Sequence, residues 1–156
     1  MTPGAATGGS DTPTRKGVRV GVDVGSVRVG VAICDPHGIL ATPVTTLQRG
    51  TGGEDLDELA ALIVEKEVVE VVVGLPKTLR GADGAAVMAA RAYATALASR
   101  IGRIPMIFVD ERLTSVTANR ILAERGIDSR ARRAMVDQAA AVAILQSRLD
   151  ALAAAS

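Results

Sequence analysis

The chain has 156 residues, of which 48% are hydrophobic and 1% aromatic, and its 18 basic and 17 acidic side chains give a net charge of +1. This length and apolar content predict one domain with an aliphatic core and exclude wholesale disorder. The scarcity of aromatic residues excludes recognition of nucleic acid by stacking of bases on aromatic side chains. One cysteine and one histidine exclude an internal disulfide framework and a Cys/His zinc site.

The N-terminal segment and the apolar runs predict where the protein works. Residues 1–16 are rich in Gly, Thr, Pro and Ser, which predicts a disordered tail before a single domain over residues 17–156. Every apolar run is broken by charge or Gly well short of the ~18 residues that cross a membrane, and no signal peptide is evident. We therefore expect a cytoplasmic protein without a membrane partner. Cys34 is interpreted as a small strand residue, and a disulfide between two subunits is the alternative.

The hydrophobic pattern changes along the chain from a period of two to helical spacing. In chain order it predicts strands over residues 18–24, 27–34 and 39–47, a helix from about 54, a strand over 68–73, a helix over 85–101, a strand over 104–109, a helix over 114–125, and a helix that begins between 129 and 136 and ends near 153. Gly25-Ser26, between the first two strands, suits a type II′ hairpin turn, and residues 35–38 predict a second turn that contains His37. Pro43 favours an edge position for the third strand.

These elements define an α/β fold. Hairpin turns make the first three strands antiparallel, and helical crossovers make the later strands parallel to their neighbours. The strands over residues 68–73 and 104–109 are rich in large apolar residues and are predicted to be buried on both faces. The sequence therefore predicts a mixed five-stranded sheet with helices on both faces.

Charge is unevenly distributed along the chain. Residues 54–70 contain seven acidic side chains against Lys66 alone, whereas residues 100–133 contain eight arginines against four acids. A local anionic partner would suit the basic segment. The alternative is that both segments form ordinary solvated helix faces.

Asp23 is out of place in a Val-rich strand, because a buried carboxylate is costly unless it is paired or holds a cation. Gly21 and Gly25 on its own face are small, which predicts open space around it for a metal or a phosphate. The alternative is a strand-end Asp that pairs with Arg19 or Arg28.

Two further carboxylates are candidates for the same edge of the sheet. Glu111 follows the last predicted strand, and ligands of α/β sheets gather at the carboxyl ends of parallel strands. Asp110 competes with it, since alternation sends one side chain to each face, and a local pair between Arg112 and an acid is a further alternative. Asp137 lies on a small, apolar helix face that is expected to pack close to the sheet, although a surface ion pair with Arg133 is the alternative.

Four blocks of sequence carry a family resemblance. In chain order they are GVDVGSVRVGVA, VVVGLP followed by Gly81 and Gly84, FVDERLTS, and VDQAAAVAIL. Together they resemble the YqgF/RuvX family over roughly residues 18–150. The resemblance implies an RNase H-like fold similar to that of the Holliday junction resolvase RuvC. It also implies that the acidic triad of the family falls on Asp23, Glu111 and Asp137.

The resemblance implies a metal-dependent nuclease that hydrolyses phosphodiester bonds. Three crowded carboxylates repel one another unless a divalent cation offsets their charge, and carboxylate oxygens suit Mg²⁺ or Mn²⁺ rather than zinc. Two such ions would activate a water for in-line attack on a backbone phosphate. This chemistry needs no His, Cys or Ser nucleophile, in keeping with a chain that has one His.

Basic side chains near these acids are predicted to hold the phosphate backbone without reading bases. They are Lys77 and Arg80 in the loop after a strand, Arg112 beside Glu111, and Arg130, Arg132 and Arg133 ahead of Asp137. For the last three, a solvated linker is the alternative. With so few aromatic residues, a branched junction or a structured RNA fits better than a single-stranded sequence motif.

The resemblance implies two substrates, a four-way DNA junction or the 5′ end of precursor 16S ribosomal RNA. A junction is nearly two-fold symmetric, so a resolvase is expected to act as a homodimer, whereas an RNA-trimming enzyme can work as a monomer. A non-catalytic RNA- or DNA-binding module of the same fold is the main alternative function. Asp23-Val24-Gly25-Ser26 also resembles the phosphate-binding hairpin of actin-like ATPases and sugar kinases, but those need two such domains and this chain has room for one.

Overall fold

The computed structural model of the chain describes residues 16–76, 84–111 and 129–155, with the side chains of the last range described from residue 138 onward. The strands are β1 (Arg19–Val24), β2 (Arg28–Cys34), β3 (Ala41–Gln48), β4 (Glu70–Leu75) and β5 (Met106–Asp110). The helices are α1 (Glu54–Glu65), α2 (Gly84–Ile101) and α3 (Ser129–Ala155). No helix in these ranges is long and apolar enough to span a membrane. Residues 1–15 of the predicted tail and the predicted helix over 114–125 lie outside the described residues.

In the described part of the chain, five strands form one sheet in the order β3-β2-β1-β4-β5. Short turns make β2 antiparallel to both β1 and β3, whereas helical crossovers make β4 parallel to β1 and β5 parallel to β4. β3 lies at the edge, where it accommodates Pro43 together with a shift in register. The predicted mixed five-stranded α/β fold is confirmed.

Helices cover both faces of the sheet, as predicted. On one face α1 and α2 pack on the alternate valines of β1, and Leu59 and Leu97 are buried there. On the other face α3 packs across β1, β2 and β3 through buried residues that include Ala141 and Ile144. Because both faces are covered, β4 is buried along its whole length. Cys34 is a buried residue of β2 with a free thiol.

The hairpin between β1 and β2 differs from the predicted turn by one residue. The amide of Gly25 donates to the carbonyl of Arg28 at 2.8 Å, which leaves Ser26 and Val27 as the turn residues. Gly25 has no left-handed backbone, so the predicted type II′ turn is wrong. Position 25 requires a glycine for space, since a Cβ there would lie 2.7 Å from the Arg28 carbonyl oxygen. The second predicted turn, over residues 35–38, is confirmed by the bond from the amide of its last residue to the carbonyl of its first.

Two predictions about burial are corrected. β5 is half-buried, because it ends the sheet and pairs with β4 alone among the described strands, and Phe108 is 36% exposed. The acidic segment 54–70 is not a wholly solvated face, since Asp55 and Glu70 are buried and bonded to other side chains.

A buried ion cluster lies at the end of the sheet where β1 and β4 begin. Arg19 Nε donates to Glu70 Oε1 at 2.9 Å, and Arg148 of α3 donates to the two oxygens of Glu70 at 3.0 and 2.8 Å. Glu70 is fully buried, so its charge is balanced by these two cations. The cluster joins β1, β4 and α3 and fixes where the C-terminal half of α3 lies along the sheet. It also gives Arg19 a partner other than Asp23.

Candidate active site

Asp23 lies in a row of small residues that are neighbours across four paired strands. It pairs with Gly30 of β2, and Gly30 pairs in turn with Thr46 of β3. On the other side, the parallel register of β1 and β4 places Gly74 beside Asp23. The half-buried carboxylate therefore stands near the C-terminal end of β1 between two glycines of the neighbouring strands.

Glu111 reaches Asp23 across Gly74. Its amide donates to the carbonyl of Leu75 at 3.1 Å, which extends the pairing of β4 and β5 by one residue. Its carboxyl group lies close enough to that of Asp23 for the two to interact directly, and this interaction lowers the pKa of Glu111. A Cβ at position 74 would lie 2.7 Å from Glu111 Cγ, so glycine is the residue that leaves this path open.

Without a cation between them, the negative charges of the Asp23 and Glu111 carboxyl groups repel each other. Burial raises the pKa of Glu111, and this outweighs the interaction with Asp23, which lowers it; the negative charge of Asp110 adds to the rise. Two ionised carboxylates at this separation repel each other, and a proton held between them relieves the repulsion. A divalent cation can replace that proton and offset both charges.

Helix α3 approaches the same row of residues. A Cβ at Gly21, two residues before Asp23 on the same face, would lie 2.7 Å from the carbonyl oxygen of Ala141. The predicted open space at Gly21 is therefore wrong, because the helix fills it. Gln138 Nε2 donates to Thr46 Oγ1 at 2.9 Å, and Thr46 belongs to the row of Asp23. α3 therefore runs antiparallel to β1 and passes this row at residue 138.

The described side chains bring together two of the three predicted acids, Asp23 and Glu111. Asp137 adjoins Gln138 in α3, so its backbone is level with the same row, and its side chain lies outside the described residues. Among the side chains that the structure describes, no three His, Cys, Asp or Glu residues are grouped so as to hold a metal ion.

The predicted phosphate-binding residues fall largely outside the described part of the chain. Lys77, Arg80 and Arg112 lie outside the described ranges. For Arg130, Arg132 and Arg133 only the backbone, which belongs to α3, is described. Their contacts with nucleic acid stay predictions.

Three residues that shape the site are absent from the sequence-based predictions. Gly74 has an available signal, because a glycine inside a β-branched strand often marks the close approach of another group. Thr46 and Gln138 have none, since each is a single polar residue of a common type and they are 92 positions apart in the chain.

Solved structures place the chain in a fold class. The structure of Thermus thermophilus RuvC in complex with a Holliday junction substrate superposes with a TM-score of 0.54 at 16% identity, over 88% of this chain and 96% of that one. A second structure of the same RuvC gives a TM-score of 0.51. At this identity the likeness is one of fold, and it defines an α/β protein of the RNase H-like class, as expected.

Sequence comparison then identifies the family. Residues 17–151 match the RuvX family, which is described as Holliday junction resolvase. The chain belongs to this family, and the expected class of activity, a nuclease that hydrolyses phosphodiester bonds, is confirmed.

Curated relatives are similar over most of this chain. A protein of Frankia casuarinae is 60% identical over 134 residues, which are 85% of this chain and 66% of that protein. A protein of Rhodococcus jostii is 52% identical over 91% of this chain and 82% of its own length, and one of Thermobifida fusca is 53% identical over 87% and 89%. All three are provisionally named pre-16S rRNA nuclease.

Proposed function

We propose that the protein is a divalent-metal-dependent endonuclease that cuts structured nucleic acid, with Asp23, Glu111 and Asp137 as its catalytic and metal-binding residues. The observation that supports this most is the direct interaction between the side chains of Asp23 and Glu111 at the edge of the sheet where β1 and β4 end. Buried acids rarely meet in this way unless a proton or a cation offsets their charge.

The residues present fit Mg²⁺ or Mn²⁺. Asp23 and Glu111 each offer half-buried carboxylate oxygens, and Gly74 lets the Glu111 side chain pass over β4 towards Asp23. Such hard donors suit these ions better than zinc, and three carboxylates can share two ions. When bound, the ions activate a water molecule and stabilise the leaving oxygen in phosphodiester hydrolysis.

The protein's own contribution is to hold the acids in fixed positions. Asp23 lies on β1, which is paired on both sides, and Glu111 is tied to β4 through its backbone amide. Acids carried by strands keep their geometry better than acids carried by loops. Asp137 would complete the set from α3, whose place is fixed by the bond between Gln138 and Thr46.

Nucleic acid would be held through its phosphates. We assign this role to Lys77 and Arg80, which follow β4 in the chain, and to Arg112, Arg130, Arg132 and Arg133, which neighbour Glu111 or Asp137 in sequence. The family description supports a four-way DNA junction as substrate, and the names of the relatives support precursor 16S ribosomal RNA. A junction substrate would call for a homodimer. One domain over residues 17–156 and a cytoplasmic location stay predictions.

A cleavage assay tests the proposal. Purified protein is offered a labelled four-way DNA junction and a labelled RNA that spans the precursor 16S 5′ boundary, with Mg²⁺ or Mn²⁺. We expect cleavage that chelation abolishes and that Asp23→Asn reduces at least about a hundredfold, because the substitution removes a charge needed for several kcal/mol of transition-state stabilisation. Asp57→Asn is the matched control, since Asp57 is 70% exposed in a surface ion pair.

The products identify the substrate. Symmetric nicks in the junction would identify a resolvase, and cleavage of the RNA alone would identify a processing nuclease. Binding of either substrate without cleavage by the wild type would overturn the proposal in favour of the non-catalytic module.

A further inference from the structure

Arg49 is an exposed arginine whose side chain is nevertheless fixed beside the hairpin that follows Asp23. Its backbone amide donates to the carbonyl of Val27 at 2.9 Å, and Nη1 donates to the carbonyl of Gly25 at 3.1 Å. Its guanidinium carbon lies 5.2 Å from the centroid of the Tyr93 ring. The cation–π contact and the hydrogen bond offset the rotamer freedom that the arginine loses, so its guanidinium is pre-organised at this place.

The platform under Arg49 is itself built from buried polar contacts. Tyr93 is 3% exposed and donates its hydroxyl to Asp55 Oδ2 at 2.9 Å. The other oxygen of Asp55 accepts from the amide of Gly50 at 3.2 Å. Burial raises the pKa of Tyr93, and the bond to Asp55 raises it further, so the ring stays neutral and its hydroxyl stays a donor. Asp55, Tyr93 and Arg49 therefore form a connected series from the interior to the surface.

This series ends at the same edge of the sheet as the acids. β3 runs in the same direction as β1, because both are antiparallel to β2, so both strands end at this edge. Arg49 follows β3 directly, and the carbonyl that it binds belongs to Gly25, two residues or roughly 7 Å along the chain from Asp23. Tyr93 lies on the α1–α2 face of the sheet and Asp23 on the α3 face, so Arg49 and the acids meet only at this edge. A nucleic-acid strand that crosses the edge with one phosphate at Asp23 and Glu111 would bring a neighbouring phosphate towards Arg49.

We infer that Arg49 binds a backbone phosphate next to the one that is cut, and that Tyr93 and Asp55 are positioning residues that hold its guanidinium in place. A guanidinium has several N–H donors, and the described hydrogen bonds of the Arg49 side chain use one of them. The fork of donors matches the oxygens of a phosphate. The inference rests on the proposed function, because it takes the nucleic acid to lie at the Asp23 edge.

Salt dependence of binding tests the role of Arg49. The labelled four-way DNA junction and the labelled precursor RNA are titrated in EDTA, so that no cleavage interferes, at several salt concentrations. Loss of one phosphate contact in Arg49→Ala is expected to lower the slope of log affinity against log salt by about 0.9 for duplex DNA and about 0.7 for single strands. Arg49→Lys retains a charge and is expected to keep most of the slope. Arg103→Ala is the matched control, because Arg103 is exposed and precedes β5 at the opposite edge, and it is expected to keep the full slope.

Steady-state cleavage tests the positioning residues. Arg49→Ala is expected to raise KM several-fold while kcat changes less than about twofold, as for a group that binds substrate away from the reacting atoms. Tyr93→Phe keeps the ring but removes the bond to Asp55, so it is expected to raise KM by less than Arg49→Ala does. Tyr93→Leu removes the ring that holds Arg49. Adding Arg49→Ala to this variant is therefore expected to raise KM by a smaller factor than it does in the wild type. The melting temperature of each variant shows whether it is folded.

The outcomes separate this inference from the proposed function. If the wild type binds and cleaves while Arg49→Ala keeps the wild-type slope and KM, the inference alone is overturned. If the wild type binds neither nucleic acid, the proposed function and the inference both fail.

Discussion

At the scale of single residues, Gly74 shows how a missing side chain assembles a site. It lies between the strands that carry Asp23 and Glu111, and its lack of a Cβ lets the longer acid cross to the shorter one. The same absence makes room for Ile144 of α3. One position thus serves both the acidic pair and the packing of the helix above it.

Gly74→Ala is expected to disrupt both. The new methyl group would lie 2.7 Å from Glu111 Cγ, so Glu111 or the backbone must move. We expect a loss of about 1–3 kcal/mol in the free energy of unfolding, measured in urea. We also expect kcat to fall about tenfold or more, because small displacements of catalytic groups are costly.

Gly84→Ala provides the control for this change. A Cβ at Gly84 meets no described atom within 4 Å, and Gly84 begins α2. Alanine there is expected to leave kcat unchanged and to raise stability by about 0.4–1 kcal/mol. A Gly74→Ala variant as stable and active as Gly84→Ala would show that position 74 does not control the acidic pair.

At the scale of elements, α3 connects the sheet to the third acid. Thr46→Val keeps the shape of the side chain but removes the acceptor of the Gln138 amide. We expect the free energy of unfolding to fall by about 0.5–1.5 kcal/mol, and kcat to fall because α3 is released from the row of Asp23. Thr42→Val on the same strand removes an exposed bond to the carbonyl of Ile33 and is expected to leave kcat unchanged. Equal kcat values for the two variants would contradict this role of α3.

The first turn of α1 gives a pH-dependent contribution to stability. Burial would raise the pKa of Asp55, but the Gly50 amide and the Tyr93 hydroxyl donate to it, and the net effect is a lowered pKa. Because the folded pKa lies below the ordinary value of 3.8, this stabilisation is complete above that pH. It is lost as the pH falls through the folded pKa.

Urea unfolding of the wild type and Asp55→Asn measures this contribution. The difference between their free energies of unfolding is expected to be constant from pH 7 to about 5 and to shrink at lower pH. A difference that stays unchanged in acid would mean that the charge of Asp55 contributes nothing to folding.

At the scale of the whole molecule, the edge of the sheet where β1 and β4 end and the edge where they begin have different roles. The edge where β1 and β4 end brings the acids Asp23 and Glu111 together, whereas the opposite edge buries Glu70 between two arginines. Glu70→Gln is expected to lower the free energy of unfolding by about 3–5 kcal/mol, because it removes the buried carboxylate that both arginines bind. Asp57→Asn breaks an exposed ion pair and is expected to cost less than about 1 kcal/mol. Similar losses in the two variants would contradict a structural role for the buried cluster.

Physical regularities made the sheet and the meeting of two of the three acids predictable from the sequence. Alternating valines and short turns specify strand directions, and parallel strands bring their carboxyl ends together, so the meeting of Asp23 and Glu111 could be expected. The turn prediction at Gly25 was wrong because a glycine can be required either by a left-handed backbone or by close contact with another atom. Here the close contact with the Arg28 carbonyl oxygen requires it. The partner of Glu70 on α3 is 78 residues away, a separation that no local pattern encodes.

Calorimetric titration with Mn²⁺ measures whether the edge of the sheet that carries Asp23 and Glu111 binds divalent cations, as the proposed phosphodiester hydrolysis requires. The wild type and Asp57→Asn are expected to bind at least one ion, and Asp23→Asn is expected to lose that binding while remaining folded. If Asp23→Asn retains the wild-type binding in full, or if the wild type binds no ion, Asp23 and Glu111 do not form a metal site.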